Sequence, residues 1–173
     1  MHWKRILVGI CGGALFGALA FAQPRKLNIS DKKFLKLAAD ADMTAAHLGQ
    51  MAENTAAKTS VRDFGQKLVL DHTNAYEELA TLASKAGATV PKGIDIQRDR
   101  AIRELMNVKG RAFDRRFLKD EVLDHEKALA VFRREAAHGH DADLKAYAGK
   151  MIPTLEEHLH IAESLAKPER HTS

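Results

Sequence analysis

Cysteine and tryptophan each occur once in this sequence of 173 residues, and the scarcity of cysteine removes several kinds of chemistry. Cys11 lies inside an apolar run near the N-terminus, so the rest of the chain offers no disulfide, no thiolate ligand for a metal and no cysteine nucleophile. A Gly-rich loop that could bind phosphate is absent as well. No serine shares a helical face with a histidine, which argues against Ser–His–Asp catalysis. We therefore predict no catalytic residues, and an enzyme is not the favoured interpretation.

Long hydrophobic runs are also scarce in this sequence. The only such run is Ile6–Phe21, which follows a short basic head and overlaps the small-x-small sequence Ala20-Phe21-Ala22. This pattern predicts a secretory signal peptide over residues 1–22, with Gln23 as the first mature residue, and hence an exported protein. A retained membrane anchor is the alternative, but about 17 apolar residues is the lower limit for spanning a bilayer. No later stretch is long and apolar enough, so we expect no stable membrane span after cleavage.

Neither positive nor negative residues are in large excess. The chain has 27 Lys and Arg against 23 Asp and Glu, a formal net charge of +4, and loss of the signal peptide lowers this to +2. The basic residues are interspersed with acidic ones. A nucleic-acid-binding protein concentrates basic residues in a patch, so we predict no nucleic-acid partner. The oligomeric state and any protein partner stay open.

No segment alternates with the period of a β-strand, whereas apolar residues recur at steps of three and four. The sequence therefore predicts an all-α fold, an up-down-up-down four-helix bundle over residues 31–167. A flexible tether is expected at 23–30 and a disordered tail at 168–173. The predicted helices are 31–57, 60–86, a short crossover helix at 96–108 between the second and third long helices, 111–136 and 141–167.

Residues that favour helix ends support these boundaries. Ser30 or Asp31 is the predicted N-cap of the first helix, and Ser60 is the predicted N-cap of the second. Gly87 provides a left-handed stop after the second helix. Asp141 is the predicted N-cap of the last helix.

One histidine interrupts the apolar face of each of three long helices. These residues are His72, His125 and His158, and every other position on their faces is apolar. Because the helices of a bundle share one core, the three imidazoles are expected to point into the same interior. The faces consist of Val61, Phe64 (or Gly65), Leu68, His72, Tyr76 (or Ala75), Leu79 and Leu82; of Leu118, Val122, His125, Leu129, Phe132 and Ala136; and of Leu144, Ala148, Met151, Leu155, His158, Ala162 and Leu165.

The three histidines also lie at similar depths in the predicted bundle. Counting residues from the tight turn between the first two helices places His72 level with Ala45. The same count around the second turn leaves His125 and His158 about 4–5 Å apart along the bundle axis. Glu121, one turn before His125, brings a carboxylate closer to the level of His158.

Convergence of this kind suits one transition-metal ion. Neutral imidazole nitrogens are ligands for zinc, copper and iron, and a carboxylate could complete a four-coordinate site. The sequence therefore predicts a metal centre at His72, His125 and His158, with Glu121 as a further ligand. The alternative stays open: a metal-free structural or protein-interaction module, whose core histidines are packing residues hydrogen-bonded to a backbone carbonyl or to a neighbour such as Tyr76.

Other polar residues near these faces are weaker candidates. His47 lies about 200° around its helix from Ala45 and is expected to face outward. His160 lies two residues after a core histidine and points elsewhere. Asp71, Asp124 and Glu157 each precede a core histidine by one residue, and we expect them to face solvent rather than to hold imidazole N–H groups.

The chain resembles the bacterial exported family catalogued as domain of unknown function 4142, which is grouped with the ferritin-like folds. The resemblance covers about residues 31–166. It implies a ferritin-like bundle in the periplasm or outer envelope, and it brings no established activity. Our leading functional hypothesis is an exported metal-binding protein of envelope metal or stress homeostasis. The motifs that carry the resemblance are Phe34…Ala41…Leu48-Gly49…Ala52, Phe64…Asp71-His72, Phe113-Asp114…Phe117…Asp124-His125, and Tyr147-Ala148…Ile152-Pro153…Leu155…His158-Leu159.

Two departures from related patterns limit the chemistry. The family often has a glutamate in the first helix, where this chain has Ala45, and its absence removes one inward ligand. The di-iron ferritin pattern has Glu three residues before His on two helices, whereas those positions here are Val69, Val122 and Leu155. Ferroxidase or oxygenase chemistry is therefore not expected, and a single ion with an open coordination position is.

Overall fold

A computed structural model describes residues 26–168, and these residues form five α-helices and no strand. The predicted all-α class is therefore confirmed. The helices are α1 (Ile29–Thr55), α2 (Thr59–Lys85), α3 (Ile96–Met106), α4 (Gly110–His138) and α5 (Ala142–Ala166). The most extensive contacts join α1 to α2 and α4 to α5, and further contacts join α1 to α4 and α2 to α5. The short α3 contacts α1 and α4.

The predicted signal peptide and the greater part of the predicted tail lie outside the described residues. Within 26–168, no helix combines the length and the apolar character that crossing a bilayer requires.

α1 begins earlier than the sequence predicts. Asn28 is its N-cap, and the Asn28 side chain accepts a hydrogen bond from the Asp31 N–H at 2.8 Å, so the predicted cap at Ser30 or Asp31 is wrong. Leu27 is buried against the core. Residues 27–30, which were expected to belong to the flexible tether, are therefore part of the fold.

The start of α2 is fixed by a residue from another helix. Lys58 occupies the N-cap position without a side-chain cap, and the predicted cap at Ser60 is wrong. The Asp114 carboxylate on α4 accepts hydrogen bonds from the N–H groups of Ala57 and Lys58, at 2.8 and 3.0 Å. This tertiary contact holds the α1–α2 turn, and local cap preferences do not reveal it.

Other predicted helix ends are confirmed. Gly87 follows α2 with a left-handed φ of 68°. The predicted crossover helix is α3, and Gly110, with a φ of 59°, marks the start of α4. The Asp141 side chain caps α5 by accepting hydrogen bonds from the N–H groups of Asp143 and Leu144.

Two glycines allow α1 and α2 to approach closely. A Cβ atom built on Gly49 would lie 2.6 Å from the carbonyl oxygen of Gly65, and one built on Gly65 would lie 2.6 Å from the carbonyl oxygen of Gly49. Asp42 lies seven residues before Gly49, and His72 lies seven residues after Gly65. Seven residues is about two helical turns, so this crossing sets Asp42 and His72 opposite each other.

A group of carboxylates lies where α1 meets the α4–α5 turn. The buried Asp31 carboxylate accepts hydrogen bonds from the N–H groups of His140 and Asp141, at 3.0 and 3.1 Å. Glu135 lies beside it with 4 % of its surface exposed. Burial, and then the charges of Asp31 and Asp141, raise the pKa of Glu135 to about 7. We call Asp31, Glu135 and Asp141 the carboxylate cluster.

Buried apolar side chains form two clusters, and a polar layer separates them along each long helix. One cluster lies towards the carboxylate cluster, and the other lies towards the α1–α2 turn and α3. Between their members the chain carries Asp42 on α1, His72 on α2, Glu121 and His125 on α4, and His158 on α5. All five side chains are buried.

Candidate metal centre

The three predicted histidines meet in the polar layer. The ring centroids of His72 and His125 lie 5.5 Å apart, those of His72 and His158 5.2 Å, and those of His125 and His158 5.3 Å. One ring nitrogen from each lies within 4.8 Å of the other two. The side chains are at most 3 % exposed. The predicted convergence is therefore present, and we call these residues the histidine triad.

The hydrogen bonds of His125 determine which of its nitrogens is available. Its Nδ1 lies 2.9 Å from the backbone carbonyl oxygen of Glu121, one turn earlier on α4. A carbonyl oxygen can only accept, so Nδ1 carries the proton and donates. In the neutral ring Nε2 then keeps its lone pair, and it faces Nδ1 of His158 at 3.3 Å.

His158 is held by a carboxylate from α2. Its Nε2 donates to Asp71 Oδ2 at 2.8 Å, which leaves Nδ1 with a lone pair that points towards His125. Partial burial raises the pKa of Asp71, but hydrogen bonds from His158 and Lys67 outweigh it and leave that pKa below its ordinary value. The expectation that Asp71 faces solvent is wrong: it orients a histidine, although not its neighbour in the sequence.

His72 pairs with a carboxylate that was not among the site residues predicted from the sequence. Its Nδ1 lies 2.9 Å from Oδ1 of Asp42 on α1, and the other Asp42 oxygen lies 3.4 Å from the Tyr147 hydroxyl. Asp42 lies four residues after Ala38 and three before Ala45, both buried, so it belongs to the apolar face of α1. That spacing is the signal in the sequence that could have identified Asp42.

The ionisation of the triad reflects its burial. Burial, and then the charge of a second histidine, lower the pKa of His72 and of His158 to about 4. Burial acts in the same direction on His125, but its contacts with Glu121 outweigh it and raise the pKa of His125. Burial also raises the pKa of Asp42 well above its ordinary value. Burial therefore disfavours the charged forms of His72, His158 and Asp42 alike.

The 3.3 Å contact between His125 Nε2 and His158 Nδ1 is the key distance of the site. If both rings are neutral, two lone pairs face each other there and repel, so a proton or a cation must lie between them. Two nitrogens bound tetrahedrally to one ion, at bond lengths of about 2.0–2.1 Å, lie about 3.3 Å apart. The observed separation therefore equals the edge of a tetrahedral metal site. His72 Nε2, which has no hydrogen-bond partner, is the remaining nitrogen.

Glu121 lies beside the triad rather than within it. Its Oε2 is 3.3 Å from Nδ1 of His125, the ring nitrogen that does not face His158. Neither of its carboxylate oxygens has a hydrogen-bond partner, because the His125 N–H is directed at the Glu121 backbone carbonyl. Glu121 is not a member of the group whose atoms lie within 4.8 Å of one another. Its role as a ligand stays a prediction.

The weaker candidates do not reach the centre. His47 and His160 are exposed, as predicted, and Tyr76 donates to the carbonyl oxygen of Pro91 rather than to a histidine. Glu157 pairs with Lys67 at 3.3 Å.

The outer wall of the site contains an ion pair. Arg98 on α3 bonds to Asp124 on α4 and lies 3.8 Å from Asp40 on α1. Arg98 and Asp124 line both the small space beside the triad and a surface groove of about 470 Å³. The space beside the triad and the surface groove therefore share this ion pair as part of their walls.

The fold and the site define an all-helical protein with a buried, carboxylate-oriented histidine triad. The chain belongs to the family described as domain of unknown function (DUF4142), whose sequence profile matches residues 16–165. The predicted resemblance is thus confirmed for the family. A comparison with curated proteins finds no match.

Two solved structures are similar to this chain. One is the crystal structure of a DUF305 fragment from Deinococcus radiodurans, with a TM-score of 0.72 and 13 % identity, covering 82 % of this chain and 97 % of that one. The other is CopM in its Cu(II)-bound form, with a TM-score of 0.63 and 14 % identity, covering 79 % of this chain and 95 % of that one. At such identities the likeness supports the helical fold alone.

Proposed function

We propose that this protein binds one transition-metal ion through His72, His125 and His158, and that it serves metal or stress homeostasis in the bacterial envelope. The observation that carries the proposal is the pair of facing nitrogens 3.3 Å apart, with a third unpaired nitrogen beside them. Zinc, copper and iron all accept imidazole ligands. The Cu(II)-bound state of the helical CopM structure favours copper among them.

The surroundings of the triad support a metal. Metal-bound histidines usually donate their second ring nitrogen to a carboxylate or a carbonyl, which fixes the ring and raises its basicity. Here Asp42, Asp71 and the Glu121 carbonyl occupy those positions. A bound cation would also stabilise the ionised form of Asp42, whose pKa burial otherwise raises.

The finer features of fold and location belong to the same proposal. The contacts of α1 with α2 and α4, and of α5 with the same two helices, fit a ferritin-like four-helix bundle with α3 as the crossover. The basic head, apolar run and small-x-small site fit export to the periplasm or outer envelope. Ferroxidase chemistry is not proposed, since no glutamate lies three residues before a core histidine.

Metal content tests the proposal directly. The purified protein is stripped with chelator, incubated separately with Cu(II), Zn(II) and Co(II), desalted and measured by elemental analysis. We expect one equivalent in the wild type and a loss of at least tenfold in affinity for His125→Ala and for the more conservative His125→Gln. His160→Ala, an exposed histidine on α5, is the matched control and should retain the metal. Equal metal content in wild type and both His125 variants would contradict the assignment.

A metal-free role is the second candidate, and the raised pKa of His125 favours it. A proton shared between His125 and His158 would fill the same 3.3 Å gap. The protein would then be a structural or protein-interaction module whose core responds to acid. A melting temperature that is unchanged by chelator or by added metal, but falls at low pH, would select this role.

A further inference from the structure

A small cavity lies beside the histidine triad. Its volume is about 20 Å³, and its lining includes Thr44, Ala45, His72, Glu121 and His125. A space of this size holds one water molecule. The small side chain of Ala45, which lines the cavity, leaves this room.

Most of the buried side-chain atoms without a hydrogen-bond partner belong to residues that line this cavity. Within residues 26–168, five buried side-chain atoms have no hydrogen-bond partner. Four of them belong to residues that line this one cavity: Thr44 Oγ1, His72 Nε2 and the two carboxylate oxygens of Glu121. Buried polar atoms are nearly always satisfied by protein or by ordered water. Their concentration around one water-sized space therefore indicates an occupant.

We propose that this cavity is a binding site for one small, neutral, protic ligand, with water as the simplest case. In the metal-free protein, the ligand donates to the Glu121 carboxylate and accepts from the Thr44 hydroxyl. When the triad holds an ion, as the proposed function requires, the same position becomes the open coordination position of that ion. Glu121 then acts as the hydrogen-bond acceptor of the ligand instead of binding the ion itself.

The lining determines the class of ligand. The two buried carboxylate oxygens of Glu121 have no hydrogen-bond partner, and since such oxygens accept hydrogen bonds they favour a ligand that donates one. The uncommitted Nε2 of His72 offers a second polar partner. The volume excludes anything much larger than two or three heavy atoms.

A pair of isosteric substitutions tests the cavity without any metal. Ala45→Thr and Ala45→Val have the same shape and would displace the occupant equally, but only threonine restores a hydroxyl to the site. If the cavity is a polar site, Ala45→Thr should melt about 2–4 °C above Ala45→Val in the metal-free protein. The matched pair Ala46→Thr and Ala46→Val, at the next position on α1, corrects for helix propensity. A valine variant as stable as the threonine variant after that correction would mean a dry cavity and overturn the proposal.

Pulsed electron paramagnetic resonance tests the coordination position. The Cu(II)-loaded wild type in deuterated water should show the deuterium coupling of an oxygen ligand bound directly to copper, in addition to the weaker couplings from the exchangeable N–H groups of the coordinated histidines. Ala45→Val should lose the oxygen-ligand coupling while keeping its copper, and Ala46→Val should keep both. Copper binding without that oxygen-ligand coupling in the wild type would overturn the open position while leaving the metal site standing. A protein that binds no metal would instead remove the proposed function, and the threonine–valine comparison would still decide the cavity.

Discussion

The histidine triad and the carboxylate cluster are both buried groups of polar side chains, and they differ in where their lone pairs point. In the carboxylate cluster both oxygens of Asp31 accept backbone N–H groups of the α4–α5 turn, so the lone pairs are used within the fold. In the triad, His125 and His158 turn their second nitrogens outward to a carbonyl and a carboxylate, and their remaining nitrogens face each other.

This difference separates a structural polar cluster from a ligand site. A carboxylate that accepts backbone N–H groups, as Asp31 does, stabilises a turn. Converging lone pairs are unfavourable unless a proton or cation lies between them. We expect four effects of this difference, which decrease in size in the order addition of metal, acid, loss of the carboxylates that orient the triad, and loss of the Glu135 charge.

Added metal should separate the two regions most strongly. A ligand at about a thousand times its dissociation constant stabilises the native state by about 4 kcal/mol, which corresponds to roughly 10 °C in this size of protein. We expect this rise in melting temperature for wild type and for Glu135→Gln, and none for His72→Ala. Differential scanning fluorimetry with Cu(II) or Zn(II), and with chelator, measures it. A rise in His72→Ala as large as in the wild type would mean that the metal binds elsewhere.

Acid should weaken the triad in the metal-free protein. The pKa of His158 is about 4 in the folded state, below its unfolded value of about 6.5. Between these values the unfolded chain binds more protons, so stability is present above pH 6.5 and is lost as the pH falls towards 4. One such histidine contributes about 3 kcal/mol.

Urea unfolding at pH 7, 6, 5 and 4.5 measures this loss. His158→Gln should have a shallower decline of stability across that window than the wild type, whereas His160→Gln, at an exposed site, should follow the wild type. An unchanged slope in His158→Gln would place the acid-sensitive group outside the triad.

The sequence identifies the three histidines of the triad but not the side chains that hydrogen-bond to them. A polar residue inside an apolar helical face stands out at the period of one helix, so His72, His125 and His158 could be found from spacing alone. The partner of His158 is Asp71 on another helix, which depends on how far each helix is rotated about its axis. The spacing of apolar residues defines the rotation of a helix about its axis only to within about one residue. The prediction that Asp71 faces solvent failed for this reason.

Helix ends show the same limit. Asp141 caps its own helix, and the local sequence predicted it. Asp31 also looks like a cap, yet its carboxylate accepts N–H groups more than a hundred residues away, and Asn28 is the cap of α1. Short-range preference identifies residues that accept backbone N–H groups, but the fold decides which N–H groups they accept.

The carboxylates that orient the triad should matter less than the triad itself. Replacing a residue that orients a metal ligand typically lowers metal affinity 10- to 100-fold. We expect losses of this size for Asp42→Asn and Asp71→Asn, measured by competition with a chromogenic chelator. Asp63→Asn, at an exposed position of α2, should not change the affinity. Affinities equal to that of Asp63→Asn would mean that the two carboxylates serve the fold alone.

The carboxylate cluster should give the smallest effect, with the opposite dependence on pH. The pKa of Glu135 is about 7 in the fold, above its ordinary value of 4.5. Between these values the folded state holds a proton that the unfolded chain has lost, so stability falls as the pH rises from 4.5 to 7 and stays low above it. Glu135→Gln resembles the protonated acid, so it should exceed the wild type by about 1–2 kcal/mol at pH 8 and equal it at pH 4. Urea unfolding at both pH values measures the difference. Glu135 lies ten residues after His125 on α4, about 15 Å along the helix, so Glu135→Gln should keep its metal affinity. A variant that gains no stability at pH 8 would mean that the ionised Glu135 carboxylate does not destabilise the fold and that its pKa is not raised.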